Sequence, residues 1–148
     1  MIEPILITSS MLLGREFVTQ TITKTTNNIY YNINTILYDS DFEFKTLIED
    51  LDITTKLDII KSFISNINID KKSKYYSTIE KTLEYINTIF VKIENEINDI
   101  INEINIHKQK WLYYLRSSPC NKQMTNLINH MKILENRFEI LLNLLKIN

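Results

Sequence analysis

Few side chains in this sequence can do covalent or metal chemistry: one cysteine, Cys120, and two histidines, His107 and His130. Cys120 follows Pro119 at the predicted start of the last helix, where the helix dipole favours a thiolate. A cysteine nucleophile also needs a base within reach. His130 lies ten residues further along the same helix, roughly 15 Å by rise, and His107 lies a comparable distance down the preceding one. The thiol therefore reads as an incidental turn residue. The histidines gain interest as a pair. Reflected about a turn at Ser117-Ser118, His107 falls opposite about residue 128, one turn from His130, with Glu103 or Glu135 near enough to share a metal. No His-x-x-x-His or Glu-x-x-His spacing supports that site. The plainer reading has His107 capping the polar end of a seam and His130 half exposed. No catalytic, cofactor-binding or metal-ligating residue is assigned, no cofactor is expected, and the chain reads as no enzyme.

The run Lys108-Gln-Lys-Trp-Leu-Tyr-Tyr-Leu-Arg116 is the best candidate for contact with a partner. Lys108, Lys110, Trp111, Tyr113, Tyr114 and Arg116 combine cations with aromatic rings, and Trp, Tyr and Arg are enriched at binding hot spots. The competing reading makes Trp111, Tyr114 and Leu115 core, with the cations complementing the negative end of a helix. Stacking on nucleic-acid bases is the weakest reading. Net charge is −1, and residues 39–58 hold seven acids against two lysines. A protein partner or self-association is expected, and nucleic acid is not.

Composition removes further classes. The single glycine, Gly14, excludes phosphate-cradling loops built on spaced glycines, and one cysteine excludes an internal disulfide. No stretch of 18 uninterrupted apolar residues spans a membrane. Residues 1–14 are apolar but lack a basic face, so packing against the bundle is favoured over docking to a partner or to a membrane surface. Glu3 and the lack of a basic leader argue against a secretory signal, and none of the 17 asparagines lies in an Asn-x-Ser/Thr site. An intracellular, cytoplasmic chain is expected. There are 27 isoleucines and 14 lysines but no alanine, so helix propensity did not select this composition. An AT-rich genome is the simpler cause, and a large DNA virus is a natural source of one, which would place the chain in host cytoplasm.

The elements that must position these residues read as helices. Apolar residues recur at Tyr76, Ile79, Leu83, Ile86, Phe90, Ile93, Ile97, Ile100 and Ile104, then Trp111 and Tyr114, in steps of three and four with His107 filling the gap. One helix is predicted from about Ser73 to about Arg116, with Glu94, Glu96 and Asn98 on its solvated face. Ser118-Pro119 caps a second helix carrying Met124, Leu127, Met131, Leu134, Phe138, Leu141 and Leu145. The two fold back as a hairpin over 73–147.

Upstream, Ser40 to Glu43 matches a capping box for helix 41–51. Thr54 or Thr55 caps helix 55–68, with Asp58 in its first turn. Together they form one broken arm. Val18, Ile22, Thr26, Ile29, Ile33, Ile36 and Leu37 make a helical stripe. A strand hairpin turning at Thr26-Asn27-Asn28 competes with it, because five threonines crowd residues 17–26. The expected fold is one all-α domain over 1–148: an elongated antiparallel bundle of about four helices, one broken, with a long coiled-coil-like C-terminal hairpin. Helix 55–68 is expected to cover the first half of the long helix. The function this implies is protein interaction or assembly; the alternative is a small helical modulator of host signalling or cell death holding a partner helix in a groove.

Overall fold

A computed structural model describes residues 2–39, 42–112 and 120–147, with side chains over 16–35, 44–112 and 120–147. Among the described residues five helices follow in order: α1 (Ile2–Asp39), α2 (Phe42–Leu51), α3 (Ile53–Asn66), α4 (Tyr76–Lys108) and α5 (Asn121–Lys146). There is no strand among the described residues. The architecture is an all-α bundle of four rods, one of them broken between α2 and α3. No helix among the described residues is long and apolar enough to cross a membrane.

Residues 26–28, where a strand turn competed, lie in the middle of α1. The threonines that argued for a strand are accommodated inside the helix. Thr21, Thr23 and Thr35 donate their hydroxyls to the carbonyls four residues back, and Thr25 and Thr26 are buried in the core beside Ile22 and Ile29. Tertiary burial of one face outweighs the crowding of β-branched side chains. The side chains of residues 1–14 lie outside the described residues, as does that of Ser40, the expected cap of α2.

The broken arm bends at Asp52. Its backbone is left-handed (φ 48°, ψ 43°), a conformation that Asp tolerates better than most residues. Asp52 N–H bonds Glu49 O at 3.1 Å, and Lys56 N–H then bonds Asp52 O at 3.1 Å to start α3. The cap position is therefore Asp52 and not Thr54 or Thr55. The helix starts two residues before its predicted beginning, and Asp58 lies beyond its first turn.

The long helix carries the core. Ile79, Leu83, Ile86, Phe90, Ile93, Ile97 and Ile100 are all buried, with Thr82 and Ile89 added from its flank. Facing them, α5 buries Leu127, Met131, Leu134 and Leu141 and half-buries Met124, Phe138 and Leu145. The predicted seam of α5 is the observed one, and that of α4 is observed from Ile79 to Ile104. A helix of 33 residues spans roughly 50 Å, so the bundle is elongated.

One neighbour relation differs from expectation. Rods that follow one another run antiparallel, but α4 packs beside α1 in the same direction. Asn28 donates to Glu94 at 2.9 Å and Asn32 donates to Asn98, both pairs 66 residues apart. The α3 helix lies against α1, where Tyr30 Oη donates to Thr54 O at 3.0 Å. It reaches α5 through the Phe63–Phe138 edge-to-face ring pair (5.4 Å between centroids) and the Lys56–Glu135 ion pair. It does not cover the first half of α4. The connection over 67–75 is long enough to cross the bundle, so α3 and α4 need not be neighbours. Ile67 is buried along that crossing, and Ile69 and Tyr75 pack partly buried on the core.

Two outcomes follow. Ile93→Ala removes a fully buried side chain from the shared wall and should cost about 2–5 kcal/mol in urea unfolding. Tyr30 is raised to about 12 by burial and then by the nearby Asp58 carboxylate. Its folded value thus lies above the ordinary 10.0, so its contribution to stability is complete below pH 10 and lost as pH rises toward 12. Absorbance titration should show one late tyrosine step among the 8 tyrosines, absent in Tyr30→Phe.

Candidate functional site

The predicted partner surface sits where α4 ends. The helix stops at Lys108, short of the predicted Arg116. The 66-residue offset between α1 and α4 places Asp39, the last residue of α1, level with Asn105. At the start of α5, Cys120 lies beside Ile100. Among the described residues, neither α1 nor α5 runs alongside α4 beyond about residue 105. Turn bonds from Gln109 N–H to Ile106 O (3.2 Å) and from Lys110 N–H to His107 O (3.0 Å) unwind the chain. Leu112 then adopts a left-handed conformation (φ 53°), which no helix passes through.

Trp111 is consequently not a seam residue. It is 80 % exposed, the highest value among the large exposed apolar side chains, with Ile106 at 51 % nearby. Lys110 is exposed and Lys108 half-buried. His107 and Lys108 fall in the last turn of α4, where positive charge complements the carbonyl end of the helix. Tyr113, Tyr114 and Arg116 lie outside the described residues, as do Ser117, Ser118 and Pro119. The structure brings Lys108, Lys110 and Trp111 to one end of the bundle.

The other chemically capable residues are separated. Cys120 is 1 % exposed and its Sγ lies 3.9 Å from Ile100 O, so the thiol closes the α4–α5 contact as a core residue. His130 does not meet His107. It faces Glu96, with Nε2 3.5 Å from Oε2, and Glu96 precedes His107 on α4 by roughly 16 Å of rise. Glu135 is taken by Lys56. Among the described residues no three His, Cys, Asp or Glu side chains gather in a group able to hold a metal ion.

What sequence reasoning missed is a set of polar rungs. Glu94, Glu96 and Asn98 were assigned to a solvated face, yet all three are half-buried and bind neighbouring helices. Glu96, with its side chain 12 % exposed, accepts from Asn126 Nδ2 at 3.3 Å while facing His130, whose Nδ1 is buried without a partner. Their positions beside the seam rather than opposite it were the available signal. Arg137 clamps the next level, donating to Tyr85 O at 2.6 Å and lying over the Tyr85 ring. Shallow depressions lie between α1 and α3, lined by Glu16, Thr19, Gln20 and Ser65, and over α3, lined by Asp58, Ile59, Ser62, Phe63, Asn66 and Ile67.

Comparison with known proteins found no matching family model, no matching curated protein and no matching solved structure.

Removing Glu96 strips partners from Asn126 and His130 together. Glu96→Ala should lower unfolding free energy by roughly 1–3 kcal/mol. Asp99→Ala, one turn away on an exposed site, should stay within about 0.5 kcal/mol, both read by urea denaturation.

Proposed function

We propose that this chain is a non-enzymatic, intracellular helical protein for interaction or assembly, binding a protein partner at the end of the bundle that carries Lys108, Lys110 and Trp111. Tyr113, Tyr114 and Arg116 follow them in the sequence and belong to the same proposed contact run. The observation that carries the reading is the exposure of Trp111. A tryptophan left 80 % in water forgoes a large burial free energy that a partner's cover recovers. Lysines beside the ring add charge selectivity and steering more than affinity.

The composition supports an AT-rich source such as a large DNA virus. The net charge of −1 and the exposed Glu49, Asp50 and Asp52 favour a protein over nucleic acid as the partner. A modulator that holds a partner helix in a groove needs an open seam. The α4 and α5 seams are buried or half-buried along the core, which favours the bundle end instead.

The test is affinity capture from the native host with the intact chain and with Trp111→Ala. The variant should keep its helical circular dichroism and unfold within about 0.5 kcal/mol of the parent. It should lose the captured protein by roughly thirtyfold, the effect of deleting a hot-spot tryptophan. Undiminished capture by the folded variant, or collapse of the fold, overturns the reading.

A further inference from the structure

The α5 helix carries a second stripe opposite its core seam. Ile133, Ile140 and Ile147 recur every seven residues and are 37 %, 53 % and 59 % exposed. Asn129, Asn136 and Asn143, all exposed, alternate with them. From Asn129 to Ile147 the stripe carries no charge; Lys132, Glu135, Arg137, Glu139 and Lys146 fall beside it, and Lys122 stands on its line two turns before Asn129. Seven-residue recurrence of isoleucine is the pattern of one helix lying along another. The core uses the other face of α5, so packing among the described residues does not account for this one.

We propose that the stripe is a self-association surface on which the α5 helix of a second copy of this chain lies antiparallel. The flanking charges select that occupant. Lys132 and Glu139 are exposed on the same edge of the stripe, and neither makes an ion pair among the described residues. An antiparallel copy overlapping along nearly all of α5 sets Lys132 of each copy against Glu139 of the other, twice by symmetry. The same register lays Ile133 beside Asn136 of the other copy and Ile140 beside Asn129. A parallel copy instead sets Lys132 near Arg137, like against like. The asparagines weaken the contact but hold its register, as polar residues in helix seams do.

Size sets the strength. In this register the two stripes share residues 129–140, and a contact roughly 16 Å long and one helix wide falls well short of the roughly 800 Å² per partner of a stable interface. The dimer is therefore weak, forming at tens to hundreds of micromolar.

Sedimentation velocity of the full chain, from low micromolar to about 0.5 mM, reads this directly. The weight-average coefficient should rise toward that of a dimer. Ile140→Lys should abolish the rise with unchanged circular dichroism. Lys132→Glu should weaken association roughly fivefold by turning both exposed pairs into repulsions, and Lys132→Glu with Glu139→Lys should restore it within about twofold. Trp111→Ala should leave it intact, which separates this surface from the bundle end. A monomer at every concentration, association that survives Ile140→Lys or disappears in Trp111→Ala, or failure of the double reversal to recover, each overturns the proposal.

Discussion

The isoleucine wall of α4 is the surface on which the bundle is built. From Ile79 to Ile100 its inward side chains are withdrawn from water, and α1 and α5 each bury a stripe against it. Burying an isoleucine side chain stabilises by about 1.5–3 kcal/mol, so this wall outweighs the poor helix propensity of a chain without alanine. Past about residue 105 neither α1 nor α5 continues alongside among the described residues, and the chain turns. That ending is what leaves Trp111 in water.

Hydrophobic stripes alone permit sliding, because isoleucine packs against isoleucine at several registers. The polar rungs remove that freedom. Asn28 with Glu94 and Asn32 with Asn98 set α1 against α4, while Glu96 with Asn126 and His130 sets α5 on the other side. Each pair satisfies its hydrogen-bonding groups at one alignment only, and a slip of one turn leaves half-buried polar atoms unpaired. The broken arm completes the assembly differently. Asp52 in a left-handed conformation lets α2 and α3 follow α1 and α5 around the bundle, and the 67–75 crossing delivers the chain to the far corner.

The two surfaces assigned to partners differ in kind. At the bundle end a large aromatic ring stands beside cations, an arrangement suited to a localised anchor. Along α5 a narrow uncharged stripe runs between separated charges, which suits an extended and weak contact between like chains. Both arise from apolar residues for which the closed core has no room.

The helices and their inward faces were legible in the residue order, because the three-and-four spacing of Ile79 through Ile100 and of Met124 through Leu145 is a local property that burial then obeys. The break near Asp52 was legible for the same reason, from polar residues that interrupt a short pattern. Which helices become neighbours was not. Lengths and turns suggested α3 against α4, but a nine-residue crossing is compatible with either side, and only packing chose α1. Nor did spacing reveal that Trp111 is exposed. The periodicity continues through residue 114, and burial depends on whether another helix reaches that level. His130 met Glu96 rather than His107 for a related reason: which levels of two helices lie side by side is settled by all their contacts together, not by counting from the turn between them.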